Sequence, residues 1–162
     1  MSDPTSTHVP VAGYAIAYQR GVLTTVGLGS CVAVMLWAQT QRIGAMAHVL
    51  LPHESLSRDR SKPAKFASTA IPFLLAELRI AGATGTPRVW MVGGASMFGA
   101  LLTTGGVNMG QRNIEALRDA LSLAGLRTEN EDIGGDYGRS VKFDVDAGTV
   151  CVASMRHGER RL

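Results

Sequence analysis

Two nearly continuous apolar runs stand close together in the first third of the chain, CVAVMLW at 31–37 and IGAMAHVLL at 43–51. A strand with one face in solvent alternates apolar and polar residues, whereas a strand covered on both faces is apolar throughout. The polar segment AQTQR between the runs predicts a turn centred near position 40. The sequence therefore predicts two paired strands that are buried on both faces.

Further strands are predicted on either side of this pair. The β-branched and aromatic runs at 14–18 and 22–26 are separated by QRG, which predicts a hairpin. Residues 88–96 predict a strand that enters a double-glycine turn. Alternation of apolar residues over 141–155, interrupted by DAG, predicts a terminal hairpin.

Two segments have the periodicity of helices. In the first, Ile71, Leu74, Leu75 and Leu78 recur at helical spacing and Gly82 marks the end. Pro72 removes a helical hydrogen bond, so a kink or a helix start near it is expected. The second helix is predicted over 111–126, with one apolar face formed by Ile114, Leu117, Leu121 and Ala124.

Length and composition favour a single mixed α/β domain. The chain has 162 residues, of which 46% are hydrophobic and 18% charged, as in a globular protein with a real core. The net charge is only +3, and the basic stretches (Arg58, Arg60, Lys62 and Lys65; Arg156, Arg160 and Arg161) have no interleaved aromatic residues. We therefore expect no nucleic-acid function.

The polar start of the chain and the absence of a long apolar run predict a cytoplasmic protein without membrane insertion. In that compartment both cysteines are expected to be reduced.

Cys31 follows a glycine-rich bend in the stretch TTVGLGSCVAV at 24–34. Gly27 and Gly29 permit a sharp turn, whose backbone N–H groups can point at one place, as an oxyanion hole requires. Such a turn suits a cysteine nucleophile. The alternative is a small apolar residue at the start of a buried strand, because free cysteine is often buried.

His48 is the candidate base for this cysteine. If the two apolar runs pair as a hairpin, the start of the first lies opposite the end of the second, and Cys31 approaches His48. Thr25, six residues before Cys31, could orient the imidazole. The alternative for His48 is a core histidine whose hydrogen bonds are all satisfied.

The other cysteine and histidines have weaker claims to chemistry. Cys151 lies within VCVA and is interpreted as a packed core residue, and His8, His53 and His157 lie in polar contexts. No spacing of histidine and cysteine resembles a metal site.

Several motifs together resemble the CheD family of chemoreceptor glutamine deamidases: TVGLGSCVAV, GAMAHVLLP, GGASMF, NMGQRNIEAL and DIGGDYGRSVKFDVDAGTV. The resemblance covers roughly residues 12–153. It divides the chain into a flexible N-terminal segment (1–11), a CheD-like deamidase domain (12–155) and a short basic tail (156–162). The sequence departs from the family in the loop at 52–65 and at Phe66, where a tyrosine is expected.

The resemblance implies a catalytic triad of Cys31, His48 and Thr25, with no metal or organic cofactor. It implies a three-layer α/β/β sandwich similar to that of cytotoxic-necrotizing-type toxin deamidases. The implied reaction converts glutamine side chains of methyl-accepting chemotaxis receptors to glutamate, in chemotaxis adaptation. A CheC-type phosphatase is the further partner that the family suggests.

Two other functions are compatible with these residues. A non-catalytic adaptor that binds receptors or the phosphatase would need Cys31 only for structure. A receptor glutamyl methylesterase would use the same nucleophile on a different leaving group.

Overall fold

The computed structural model describes residues 5–97 and 108–162 of the chain. Its strands are β1 (Ser6–His8), β2 (Tyr14–Tyr18), β3 (Val22–Leu28), β4 (Val32–Ala38), β5 (Ile43–Val49), β6 (Arg88–Gly93), β7 (Thr128–Ile133), β8 (Arg139–Asp144), β9 (Thr149–Ser154) and β10 (Gly158–Arg161). Its helices are α1 (Ala67–Ile80), α2 (Met109–Leu123) and two single 3-10 turns, Glu54–Leu56 and Pro63–Lys65.

The strands form two five-stranded sheets. The outer sheet has the order β1-β3-β8-β9-β10, and the inner sheet has the order β2-β5-β4-β6-β7. Neighbouring strands are antiparallel except for β1 with β3 and β6 with β7, which are parallel. Both sheets therefore mix hairpin connections with longer crossovers.

Three layers result, because the inner sheet is covered on both faces. Val32, Val34 and Leu36 of β4 pack in one core with the buried faces of α1 and α2. Ala33, Met35 and Trp37 of the same strand pack in a second core against residues of the outer sheet. The predicted mixed α/β domain with an α/β/β arrangement is confirmed.

The central pair, β4 with β5, is antiparallel from Val32 opposite Val49 to Ala38 opposite Ile43. Every residue of both strands is buried. This is the predicted pair of strands, and its burial on both faces accounts for the unbroken apolar sequence.

The predicted hairpin between 14–18 and 22–26 is wrong. Both strands exist, but β2 pairs with β5 in the inner sheet, whereas β3 pairs with β1 and β8 in the outer sheet. The QRG segment carries the chain from one sheet to the other. Local sequence indicated strands and a turn, but burial of each strand against a different layer decided the pairing.

The first helix passes through Pro72, five residues after its start at Ala67. Gly82 has φ +104, and its N–H donates to the carbonyl of Arg79, so it ends the helix as predicted.

In α2, Ile114, Leu117 and Leu121 are buried as expected. Ala124 is not part of that face, because it follows the helix and is exposed.

The predicted hairpin over 141–155 is present as β8 and β9, but it is not terminal, since β10 pairs with β9. The tail at 156–162 thus contains a strand, and so does the N-terminal segment, where β1 pairs with β3. Both are exposed edge strands without an apolar pattern. Among the described residues, no helix is long and apolar enough to cross a membrane.

Candidate active site

The turn that precedes Cys31 is held by a second glycine turn at the end of β6. Gly94 donates its N–H to the Cys31 carbonyl at 2.9 Å, and Ala95 donates to the Gly29 carbonyl at 2.8 Å. A Cβ atom on Gly93 would lie 2.3 Å from the Cys31 carbonyl oxygen, closer than any real contact. Glycine at 93 therefore allows the two turns to meet directly beside Cys31.

Strand register places His48 on the same side of the inner sheet as Cys31. His48 lies opposite Ala33, which is two positions after Cys31 and, like Cys31, belongs to the core between the sheets. Residues that are diagonal across an antiparallel pair have Cβ atoms roughly 7–8 Å apart, within reach of long side chains. The hairpin thus places the two residues diagonally across one face of the strand pair, as its predicted turn requires.

Thr25 reaches the same place from the outer sheet. Its Oγ1 lies 2.7 Å from Nδ1 of His48, and both residues are fully buried. The Thr25 hydroxyl also donates to the Val9 carbonyl at 2.8 Å. The three residues predicted from the sequence are therefore contributed by β3, β5 and the turn before β4.

The hydrogen bond from Thr25 to Val9 determines the tautomer of His48. A carbonyl oxygen can only accept, so the single hydroxyl proton of Thr25 is committed to Val9. Thr25 must then accept from His48, which requires a proton on Nδ1. This leaves Nε2 as the unprotonated nitrogen, with its lone pair available to accept a proton.

Nε2 of His48 is buried and has no hydrogen-bond partner among the described residues. Burial lowers the pKa of His48 to about 4, and repulsion from His8 contributes to this decrease. The imidazole is therefore neutral near pH 7. An unpartnered basic nitrogen differs from the satisfied core histidine that was the alternative from sequence.

Burial raises the pKa of the Cys31 thiol, and the backbone N–H of Cys31 itself partly offsets this by favouring the thiolate. With the thiol protonated and the imidazole neutral, the resting pair is uncharged. Such a pair can act if the imidazole takes the proton as the sulfur attacks.

Asn113 of α2 is a further polar residue at the site. It is fully buried, and its Nδ2 donates to the Ser30 carbonyl at 2.9 Å and to the Leu50 carbonyl at 3.1 Å. Asn113 was not among the residues predicted from the sequence, although a polar residue beside Ile114 and Leu117 on an apolar helix face is a visible signal. The Val9 carbonyl was also missed, since a backbone acceptor has no sequence signal.

A buried ion pair supports the loop behind the glycine turns. Arg139 lies 3.0 Å from Asp132 and donates to the Gly134 carbonyl at 2.8 Å. The next carbonyl, of Gly135, accepts from the N–H of Ser96, which follows the second glycine turn. The charges thus stabilise the backbone around the site and do not enter it.

Of the remaining candidates, His8 of β1 lies close enough to the site to lower the pKa of His48, whereas Cys151 belongs to another strand of the outer sheet. Cys151 is in β9, where it pairs with Lys142 and Arg161. Nowhere in 5–97 and 108–162 do three or more His, Cys, Asp or Glu side chains form a group that could hold a metal ion. Of the motif GGASMF, Phe98 lies outside the described residues.

Comparisons with known proteins identify the family of this chain. The sequence profile of a family described as CheD chemotactic sensory transduction matches residues 50–154. The chain is 39% identical over 153 residues to the chemoreceptor glutamine deamidase CheD of Thermotoga maritima, a match that covers 94% of each chain. It is 36% identical to a probable chemoreceptor glutamine deamidase CheD of Desulforamulus reducens, over 91% of this chain and 89% of that protein.

A third relative, a probable chemoreceptor glutamine deamidase CheD of Moorella thermoacetica, is 38% identical over 94% of this chain and 92% of its own. The profile match begins after His48, but matches that cover 94% of the chain extend across Thr25, Cys31 and His48. Sequence identity at this level, over nearly the full length of both compared proteins, establishes that this chain belongs to the CheD family.

Proposed function

We propose that the protein is a hydrolase that deamidates glutamine side chains of chemotaxis receptors, with Cys31, His48 and Thr25 as its catalytic triad. The single observation that carries the proposal is the hydrogen bond from His48 Nδ1 to Thr25, which leaves Nε2 buried and without a partner among the described residues. The names of the relatives, each a chemoreceptor glutamine deamidase, supply the substrate class.

In the first step the Cys31 sulfur attacks the carboxamide carbon of the substrate glutamine, and its proton passes to Nε2 of His48. The carbon–oxygen double bond becomes a single bond, and the negative charge develops on that oxygen. The backbone N–H of Cys31 is the proposed donor to this oxyanion. Thr25 accepts from Nδ1 throughout and holds the imidazole that has become positively charged.

Collapse of the tetrahedral intermediate breaks the carbon–nitrogen bond. His48 returns its proton to the departing nitrogen, so ammonia leaves and a thioester forms on Cys31. Water then attacks the thioester as His48 accepts a proton from it. The carbon–sulfur bond then breaks, the sulfur takes the proton back from His48, and the glutamate product leaves, so that the thiol and the neutral imidazole are restored without a metal or organic cofactor.

The new glutamate carries a charge and can be methylated, so the reaction would act in chemotaxis adaptation. The family resemblance implies glutamines on cytoplasmic helices of the receptors, and we therefore propose that the enzyme acts in the cytoplasm. A CheC-type phosphatase is proposed as a binding partner on the basis of the family resemblance alone.

Mass spectrometry of a glutamine-bearing receptor fragment tests the proposal. Incubation with the wild-type protein should produce the mass increase of an amide converted to an acid, and Cys31→Ala should not. Cys151→Ser is the matched control, because it removes the other thiol and should retain activity.

Each of the other outcomes points to a different function or a different nucleophile for this protein. No conversion by the wild type, with receptors from the same cell, would favour the non-catalytic adaptor. Methanol release from a methylated receptor without glutamine conversion would identify a methylesterase. Conversion by Cys31→Ala would show that another residue is the nucleophile.

A further inference from the structure

We propose that Asn113 is a positioning residue that orients the peptide between Ser30 and Cys31, so that the Cys31 N–H points at the oxyanion of the intermediate. The proposal rests on the proposed function for the identity of the natural substrate. It concerns a residue of α2 that lies more than 60 positions from the triad in the sequence.

Asn113 connects α2 to both strands that carry the Cys–His pair. One hydrogen of Nδ2 is donated to the carbonyl of Ser30, and the other to that of Leu50, two residues after His48. Both partners can only accept hydrogen bonds, which determines which end of the amide faces them. A single side chain thus ties the turn before β4 to the end of β5.

Peptide geometry converts this tie into an orientation of the Cys31 N–H. In a planar trans peptide the carbonyl and the N–H point in opposite directions. The Ser30 carbonyl points at α2, which packs on the helix side of the inner sheet. The N–H of Cys31 therefore points away from α2, toward the face of the inner sheet that carries the Cys31 side chain and, by its register opposite Ala33, His48.

Two further observations agree with this direction. The backbone N–H of Cys31 favours the thiolate of its own side chain, so it lies near the sulfur. On the other side of Cys31, its carbonyl is held by the N–H of Gly94 at 2.9 Å. Asn113 and the second glycine turn therefore fix the peptides before and after the nucleophile.

Asn113 also lowers the stability of the folded protein in two respects, which a purely stabilising role does not explain. Its Oδ1 is buried and has no hydrogen-bond partner among the described residues. Asparagine is a weaker helix former than alanine or leucine, and its neighbours on α2 are buried apolar residues. The competing explanation is that Asn113 only satisfies two buried carbonyls, and the experiment must separate the two roles.

Two small reagents that react with Cys31 make this separation. Acylation by 4-nitrophenyl acetate passes through a tetrahedral oxyanion, whereas alkylation by iodoacetamide is a displacement at carbon with no oxyanion. Both rates are followed by mass spectrometry of the peptide that contains Cys31, which separates it from Cys151. The ratio of the two rates reports oxyanion stabilisation without any turnover of glutamine.

We expect Asn113→Ala and Asn113→Leu to slow acylation by about 10- to 100-fold and to change alkylation by less than about 3-fold. Leucine nearly preserves the side-chain volume and guards against loss of packing. The matched control is Asn108→Ala, which removes the N-cap bond to Gln111 on the same helix but touches neither carbonyl. It should leave both rates unchanged.

Equal slowing of both reactions would overturn the proposal, because Asn113 would then act on the thiol or on the fold. Unchanged acylation would overturn it as well. A wild type that does not deamidate receptors, combined with the expected change in the rate ratio, would refute the proposed function and leave this inference standing.

If neither variant folds, the wild-type protein is examined by NMR after an aldehyde adds to Cys31 as a hemithioacetal. The amide proton of Cys31 and the side-chain amide protons of Asn113 should both shift on addition. An unshifted Asn113 would overturn the proposal.

Discussion

The core between the two sheets differs in composition at the two ends of strand β4, although the same face of the strand lines it at both ends. Cys31 stands just before the strand and Trp37 near its end, so the two side chains lie roughly 20 Å apart along the layer between the sheets. At the Trp37 end the core is aromatic. At the Cys31 end it contains a threonine, a histidine and a thiol.

The aromatic end satisfies its polar groups. Trp37, Trp90 and Phe143 pack together, with ring centroids 6.4 Å and 6.0 Å apart in successive pairs. The indole N–H of Trp37 donates to the Val145 carbonyl at 2.7 Å. This end contributes burial and dispersion, and no buried polar atom of Trp37 lacks a partner.

The polar end keeps a buried nitrogen free. His48 Nε2 has lost water and has gained no partner among the described residues, at a cost in free energy. The difference teaches that one core can supply stability at one end and a prepared reaction site at the other. Substitutions at the two ends should therefore separate activity from stability.

The largest expected effect is loss of turnover in Cys31→Ser. The substitution nearly preserves the side-chain volume but replaces the thiol with a much weaker nucleophile, so deamidation should fall by more than about 1,000-fold. Thermal unfolding should be almost unchanged. A rate near that of the wild type, measured by mass spectrometry of receptor peptides, would rule out Cys31 as the nucleophile.

Trp37→Ala should have the opposite signature. Removal of a buried tryptophan is expected to lower the free energy of unfolding by about 3–5 kcal/mol, because a cavity remains between the sheets. Urea unfolding measures the loss. The rate per folded molecule should stay near the wild-type value, and a large decrease in kcat would mean that the two ends are coupled.

Thr25→Val removes the hydroxyl that accepts from His48 and donates to Val9, while the side-chain shape is kept. We expect kcat to fall about 10- to 1,000-fold, since the imidazole loses the group that determines its tautomer. Thr25→Ser is the matched control and should recover most of the rate. If valine is as active as serine, Thr25 has no part in catalysis.

The polar end should also make stability depend on pH. The pKa of His48 falls from 6.5 to about 4 on folding, so the unfolded chain binds the proton more tightly. Above pH 6.5 the histidine is neutral in both states and the free energy of unfolding is at its full value. As the pH falls toward 4, protonation of the unfolded chain lowers the free energy of unfolding by up to about 3 kcal/mol. Urea unfolding between pH 4 and 7 should show this slope in the wild type and not in His48→Gln.

The smallest effect is expected for Cys151→Ser. The side chain is partly exposed in β9, whose neighbouring residues Val150 and Val152 face the core between the sheets, so both the rate and the unfolding temperature should change little. Inactivity of a folded Cys151→Ser protein, measured in the receptor assay, would mean that the wrong thiol has been chosen.

Patterns within single segments predicted most elements of this fold. The continuous apolar runs predicted β4 and β5, and helical spacing predicted α1 and α2. Strands β1, β7 and β10 were not predicted, because largely exposed, polar strands lack the alternation on which such predictions depend. Strands β1 and β7 pair with strands that are distant in sequence, which no local pattern reveals, whereas β10 pairs with the adjacent β9 but carries no apolar pattern.

The candidate site was predicted unevenly for a similar reason. Cys31 stands at the start of the first strand of the hairpin and His48 near the end of the second. Both therefore lie at the open end of the hairpin, where turn geometry alone places them near each other. Thr25 belongs to the other sheet, and its spacing of six residues from Cys31 acquired meaning only through the family resemblance. Asn113 and the Val9 carbonyl depend entirely on how separate elements pack.

The sequence by itself determined the buried central hairpin, the two helices, the glycine turn before Cys31 and the family. These depend on periodicity, on backbone freedom and on motifs, all of which are local. Only the tertiary structure decided that β2 and β3 belong to different sheets, which nitrogen of His48 carries the proton, and that Nε2 has no partner among the described residues. Those properties arise from burial and from hydrogen bonds between distant residues, which exist only after the layers have packed.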